Sequence, residues 1–443
     1  MLTPDDDVAR YEIDARSGQG RAAAVVRPAD VAGVRAVLAW ARRHRLRLVP
    51  QGANSGLVGA SVPDATRTMV VLSLERVTSP LRVDAVDRVA RVGAGVRLSQ
   101  LNEAAGAHGL CFPIDLGSDP SLGGMVATNT GGARLLRYGD VRHNLLALEV
   151  VLADDDGTVL RCGRGLRKDN TGLDLKQVFV GTGGELGVIT AVTVQLHPVP
   201  RWRAAALVAL PDDAASVRLL QRLEREVPTE LTAYELLSAE AFGRTLAHTG
   251  TPCPFADGVP PQTALVELTS GDDDADLTDR LAEVLSGAEE ITDARFGPPE
   301  HWWGLRHRVT ESVKAFGTVV AFDVSVPRPL VPELRARTLA LLAARAPGAV
   351  LSDFGHVGDG GVHLNLLYPR PALAPTGEAL AALRTAVYDV VDALGGSFSA
   401  EHGVGPRNEA WAGRYLPPEV DAVMAVLKAR FDPFGVLGTR HRA

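Results

Sequence analysis

Residues 355–365 read Gly-His-Val-Gly-Asp-Gly-Gly-Val-His-Leu-Asn, and they constrain the fold more than any other stretch. Asp359-Gly360 is the dipeptide that a two-residue type I′ turn requires, because both central residues must accept positive φ. A turn there predicts an antiparallel hairpin in which Gly358 faces Gly361, Val357 faces Val362 and His356 faces His363. Side chains alternate faces along a strand, so the valines point one way and both imidazoles the other. Directly opposed Cβ atoms lie about 4.5–5.5 Å apart, close enough for two imidazoles to share one ion. Downstream, Ser399-Ala400-Glu401-His402-Gly403-Val404-Gly405 supplies a carboxylate beside another histidine. Two imidazoles, a carboxylate and a spare histidine are the parts of a metal-assisted active site.

Composition excludes several alternatives. With 443 residues, 46% of them hydrophobic, the chain can bury a large core and divides into more than one domain. Its net charge is −7, its basic residues are nearly all arginine, and lysine occurs only at 168, 176, 314 and 428. No basic block stands out, which argues against a nucleic-acid partner. The cysteines Cys111, Cys162 and Cys253 lie far apart. That spacing excludes a cysteine-ligated iron–sulfur cluster or disulfide scaffold and fits a reducing compartment. The start, Met1-Leu2-Thr3-Pro4-Asp5-Asp6-Asp7, has no signal-peptide core, and no apolar run reaches the ~20 residues of a membrane span. The expectation is a cytoplasmic protein without a membrane span.

The first 200 residues are rich in glycine and strand patterns. Asp30 reads as an N-cap for a helix with Val31, Val34, Leu38 and Ala41 along one face. Strands are expected at Leu46–Val49, Met69–Leu74, Arg88–Val92, Leu146–Leu152 and Val188–Leu196. His197-Pro198-Val199-Pro200-Arg201 marks an exit, after which helical stretches alternate with strands at Ala204–Leu210, Thr263–Thr269 and Val319–Val326. Pro417–Phe431 reads as a last helix.

Three glycine-rich segments lie in the first half, at residues 51–59, 117–132 and 181–190. Glycine lets successive backbone N–H groups close on a pyrophosphate, and short Ser, Thr and Asn side chains add donors. A Rossmann site fits poorly. Gly93-Ala94-Gly95 has leucine at position 98 where the third glycine belongs, and Gly181-Thr182-Gly183 leads into a β-branched run where a helix should begin. A bulky dinucleotide held on backbone amides explains all three loops.

Taken together, residues 50–63, 127–132, Arg167-Lys168-Asp169-Asn170-Thr171-Gly172, residues 355–365 and residues 399–405 resemble the FAD-dependent D-2-hydroxy acid dehydrogenases. These are vanillyl-alcohol-oxidase-type flavoproteins, and the likeness is greatest to the D-2-hydroxyglutarate and D-lactate dehydrogenases. The resemblance implies an α+β protein: a two-subdomain FAD-binding domain over 1–200, an antiparallel-sheet substrate and metal-binding cap over 201–412 with helices on one side, and a C-terminal segment, 413–443, returning to the flavin domain. It implies FAD contacts at Gln51, Gly52, Ala53, Asn54, Ser55, Gly56, Leu57, Ser61, Gly117, Gly123, Gly124, Ala127, Thr128, Asn129, Gly131, Gly132, Gly187, Val188 and Ile189. The first loop carries no histidine, so FAD is expected to bind non-covalently. The family's ligands for a divalent ion of zinc or manganese type fall on His356, His363 and Glu401, and its base on His402. Asn365, two beyond His363, shares its strand face and is placed to hydrogen-bond substrate. Arg306 and Thr310, at i and i+4, are expected to share a helix face toward the acid.

The resemblance implies hydride transfer from a D-2-hydroxy acid to flavin N5, with D-2-hydroxyglutarate the leading substrate and D-lactate or a broader set the alternative. Reoxidation then needs another acceptor: an electron-transfer flavoprotein, a quinone or oxygen. Three departures from the family pattern stand out: Ala321 occupies the position of a lysine in the D-2-hydroxyglutarate enzymes, Gly183 replaces a usual serine in the third glycine loop, and the ending reads Gly438-Thr439-Arg440. Lys314 lies two turns beyond Arg306 as a possible substitute cation. Two other readings remain open: a flavin-free metal-dependent hydrolase and a non-catalytic nucleotide-binding module. The oligomeric state is not legible in the sequence, a homodimer being one option.

Overall fold

The computed structural model describes residues 1–16, 18–272 and 276–438. Its chain forms two compact units. The first takes residues 1–132, 139–199 and the chain from His402 onward; the second takes Ala133–Tyr138 and Pro200–Glu401. The chain thus returns to the first unit at His402, ahead of the expected position 413, and a six-residue excursion belongs to the second unit without a sequence signal.

In the first unit, Asp30 caps the helix Val31–His44 by accepting the Gly33 N–H at 2.7 Å, and Val34, Leu38 and Ala41 are buried as their spacing requires. That helix belongs to a core shared by two sheets. A parallel sheet places Met69–Ser73 between Ala24–Val26 and Arg47–Gln51. An antiparallel sheet runs in the order Leu81–Asp84, Val89–Gly93, Val188–Gln195, Leu145–Val151, Val159–Cys162. The β-branched run after the third glycine loop is therefore a central strand, which disposes of the Rossmann alternative. The helix Pro418–Phe431 is followed by Val436 and Leu437, which are buried in this core, and Leu437 bridges Leu48 in parallel. Thr439 and Arg440 lie outside the described residues.

The second unit is built on an eight-stranded antiparallel sheet. Its main path runs Asp293–Gly297, Trp202–Leu210, Gln262–Ser270, Leu231–Ser238, Phe354–Gly355, Gly361–Pro369, Gly317–Ser325. Helices cover both faces, not one as expected. Ala205, Leu207, Ala233, Leu237, Leu265, Phe354 and Leu367 pack with the helices Ala239–Thr249, Pro299–His307 and Val309–Ala315. Tyr234, on the opposite face, donates its hydroxyl to Ser216 O in the helix Asp213–Glu226 at 2.7 Å.

The hairpin carrying the two histidines departs from its expected register. Its loop has four residues, 357–360, closed by Gly361 N–H to His356 O at 3.2 Å. Asp359 does not take positive φ; its carboxylate accepts the Gly361 N–H at 2.9 Å, and only Gly360 is left-handed, at φ +91°. An aspartate that bonds its own backbone two residues on favours this longer turn over type I′. Phe354 therefore stands opposite His363, and His356 opposite Gly361. The imidazoles become diagonal neighbours on one face, with ring centres 5.5 Å apart.

Candidate active site

The site is laid out by strand register on one face of the large sheet. Leu236 pairs with Gly355, which brings Glu235 opposite His356. Across the next pair, Asp323 stands opposite His363 and Ala321 opposite Asn365. Alternation then puts Glu235, His356, His363, Asn365, Asp323 and Ala321 on the same side. The Glu401 N–H donates to Asp323 Oδ2 at 2.9 Å, and the Ala400 N–H to Asp323 O at 3.2 Å, which docks the segment bearing the carboxylate.

His356, His363 and Glu401 each offer a ligand atom, and these atoms lie within 4.8 Å of one another. His356 Nδ1 faces Glu235 Oε1, leaving Nε2 toward Glu401 Oε1 at 3.3 Å. His363 Nδ1 is 3.6 Å from Asp323 Oδ1. The carboxylate behind His356 fixes that ring and its tautomer, the arrangement that metal-binding histidines use, and Asp323 stands beside His363 as a charge partner. Electrostatics points the same way. Burial pushes the Glu401 carboxyl up to about 7, with Asp323, Asp359 and Glu235 adding repulsion that His356 only partly offsets. Burial opposes a charged His356, but Glu235 and Glu401 prevail and lift it to about 9. Glu235, despite full burial, is held down at about 2 by Arg306 and His356. The cluster thus has an acid surplus that a dication would neutralise, and two imidazoles with a carboxylate suit zinc or manganese. The residues fit a divalent ion.

Arg306 is buried, its Nε 2.5 Å from Glu235 Oε2 and its guanidinium 4.7 Å from the centre of the Phe354 ring. Thr310 does not share its face. The helix breaks at Arg308, between Pro299–His307 and Val309–Ala315, and Thr310 is exposed. Lys314 is exposed as well. His402 follows Glu401 directly, where the chain re-enters the first unit. Glu235 and Asp323 escaped the sequence reading as site residues. Their only signal was a charge within an apolar strand pattern, Leu-Thr-Ala-Tyr-Glu-Leu-Leu-Ser and Val-Val-Ala-Phe-Asp-Val-Ser.

In the first unit the three glycine loops converge. A Cβ on Gly52 would strike Ser121 Oγ, and the amides of Gly181 and Gly183 donate to Val126 O and Ala127 O at 3.1 and 2.8 Å. Several side chains expected at the cofactor serve the loops instead. Gln51 Nε2 donates to Tyr11 O and Ser61 O, and Asn54 Nδ2 to Arg10 O and Ile13 O. Thr128 donates to Gly124 O, and Asn129 holds Asp140 and the Arg142 N–H. Val188 and Ile189 bury their side chains in the core. What remains is backbone: the N–H groups of residues 53–58 have no acceptor among the described residues. A run of unpaired, half-buried amides is rare in folded protein and suits a pyrophosphate. The loops fit FAD.

This fold, with a backbone dinucleotide cradle in one unit and a metal-type donor set in the other, defines a flavin-dependent oxidoreductase. Residues 22–163 match the FAD binding domain family and residues 199–440 the C-terminal domain of FAD linked oxidases, and the chain belongs to this FAD-linked oxidase family. It is 36% identical to the mitochondrial D-2-hydroxyglutarate dehydrogenase of Bos taurus, an alignment covering 99% of this chain and 80% of that one. It is 32% identical to the D-2-hydroxyglutarate dehydrogenase of Xanthomonas citri pv. viticola, covering 93% and 87%. The same fold occurs in alkyldihydroxyacetonephosphate synthase, with TM-score 0.72 at 18% identity over 98% of this chain and 83% of that one. It also occurs in p-cresol methylhydroxylase with substrate bound, with TM-score 0.71 at 18% identity over 98% and 92%.

Proposed function

We propose that the protein oxidises D-2-hydroxyglutarate to its 2-oxo acid, using non-covalent FAD and a divalent ion of zinc or manganese type. The observation that carries the reading is the His356–His363–Glu401 donor set on the sheet face that also holds Asn365 and, through Glu235, Arg306. When bound, FAD would supply a two-electron acceptor, and the ion a Lewis acid that lowers the pKa of a coordinated hydroxyl. Arg306 grips a substrate carboxylate with its terminal nitrogens, which have no partner among the described residues. The Asn365 amide hydrogen-bonds the acid from the same strand face as His363. An imidazole nitrogen of His402 takes the proton of the α-hydroxyl as the Cα–H electron pair departs. The electrons then pass to a separate acceptor, an electron-transfer flavoprotein or a quinone.

Ala321 favours a second reading. It stands opposite Asn365 with no charge to offer, so a distal carboxylate loses the cation that a lysine there would supply, and shorter monocarboxylates such as D-lactate become competitive. Anaerobic titration of the metal-replete protein with D-2-hydroxyglutarate, D-malate and D-lactate separates the two. Bleaching of the flavin at far lower concentration by D-2-hydroxyglutarate supports the first reading; equal or better bleaching by D-lactate supports the second. A yellow protein that none of the three bleaches removes both.

A further inference from the structure

Glu235 sits at the centre of the sheet with no exposed surface, yet it touches neither substrate nor ion in the proposed mechanism. Its two oxygens face different partners: Oε1 the Nδ1 of His356, Oε2 the Nε of Arg306. Those partners lie 121 and 71 residues away, on the hairpin and on the helix Pro299–His307. One carboxylate therefore holds both a metal ligand and the cation expected to grip the acid. We infer that Glu235 is a positioning residue that ties metal binding to substrate-carboxylate binding, an inference that rests on the function proposed above.

Burying a lone carboxylate is costly, and both neighbouring cationic groups are needed to keep Glu235 ionised. In return, Glu235 fixes His356 with Nε2 directed to the ion and makes that ring more basic, as outer-shell carboxylates do for histidine ligands. It also restrains the Arg306 guanidinium at Nε, which leaves the two terminal nitrogens as a fork for a carboxylate. Substitution of Glu235 should thus disturb two binding events that take place at different atoms. A residue needed only for folding would lower the amount of folded protein without changing either affinity.

The test uses the FAD-loaded full chain as wild type, Glu235→Gln and Glu235→Asp. Zinc and manganese affinities are measured by competition with a chromogenic chelator, and KM and kcat for D-2-hydroxyglutarate are measured at saturating metal. Glu235→Gln keeps the shape but loses the charge. It should weaken metal binding by about 10- to 100-fold, and it should raise KM more than it lowers kcat once metal saturates. Glu235→Asp keeps the charge but is one methylene shorter and cannot span both partners. It should recover most of the metal affinity while KM stays raised. FAD content should equal wild type in both variants, and an unchanged far-UV circular dichroism spectrum with a cooperative unfolding transition certifies that the second unit, which carries Glu235, is folded. Metal affinity of Glu235→Gln within twofold of wild type, or a KM that follows metal affinity in Glu235→Asp, overturns the inference. Wild-type protein that binds neither metal overturns the proposed function instead, so the two failures are distinguishable.

Discussion

Asn54 shows how a side chain in a cofactor loop shapes the loop itself. It holds φ +58°, which asparagine tolerates better than most residues, and its amide bonds Arg10 O, Ile13 O and the Ser61 hydroxyl. Those bonds lock the loop against the N-terminal segment and leave the amides of 53–58 exposed to a ligand. Asn54→Ala should cost about 1–3 kcal/mol and weaken FAD binding. Asn54→Gly keeps the backbone conformation but loses the bonds, so it should recover part of the stability and little of the FAD affinity. Thermal melting of apoprotein together with fluorescence titration of FAD would check this; equal FAD affinity in all three proteins would refute it. At this scale the candidate donor set was legible, because His356, His363 and Glu401 sit in short glycine-framed motifs. Glu235 was not. Its meaning depends on partners 71 and 121 residues distant, which only the folded register brings together.

The hairpin shows the same limit for elements. An antiparallel pair with both imidazoles on one face follows from the sequence, but the register does not, because it turns on whether Asp359 takes positive φ or bonds Gly361. The two registers differ by two residues of loop, an even number, so the side chains keep their faces and the histidines still meet. The helix near Arg306 was harder to read. An i, i+4 spacing means a shared face only while the helix is continuous, and the break at Arg308 leaves Arg306 buried and Thr310 exposed. Gly360 tests the hairpin directly: its φ is +91°, and a Cβ there would collide with Val326 O. Gly360→Ala should destabilise the second unit by about 1–3 kcal/mol. It should also weaken metal binding while FAD stays bound. Denaturant unfolding and chelator competition on the same preparation would show this. An unchanged metal affinity would mean that the loop does not set the spacing of the two histidines.

At the scale of the whole chain, chemistry is divided between units whose segments interleave in sequence. The glycine loops belong to the first unit, and His356, His363 and Glu401 to the second. The strands given bounds from sequence pattern lie within two residues of the observed ones, as with Met69–Ser73 and Gln262–Ser270, but strands such as Leu231–Ser238 and Asp293–Gly297 and most of the helices were not located. The C-terminal return came only through the family resemblance, because Val436 and Leu437 are too brief an apolar signal to reveal that they enter a core assembled from residues 26–196. The excursion Ala133–Tyr138 left no signal at all. Its anchor is a long-range ion pair, Arg134 Nε to the buried Glu267 Oε2 at 3.0 Å. The division has a direct consequence for metal removal. Since the proposed donors His356, His363 and Glu401 all lie in the second unit and the glycine loops in the first, a chelator should strip the proposed ion and leave the protein yellow, with FAD retained. The stripped protein should no longer be bleached by a D-2-hydroxy acid, and added zinc or manganese should restore bleaching. Stability should respond too: a ligand bound only by the folded state adds about 2.7 kcal/mol at a hundredfold excess over Kd. Metal should accordingly raise the unfolding midpoint of wild type and leave that of His363→Ala in place. Loss of colour together with the metal, or bleaching that survives the chelator, would contradict this separation of roles.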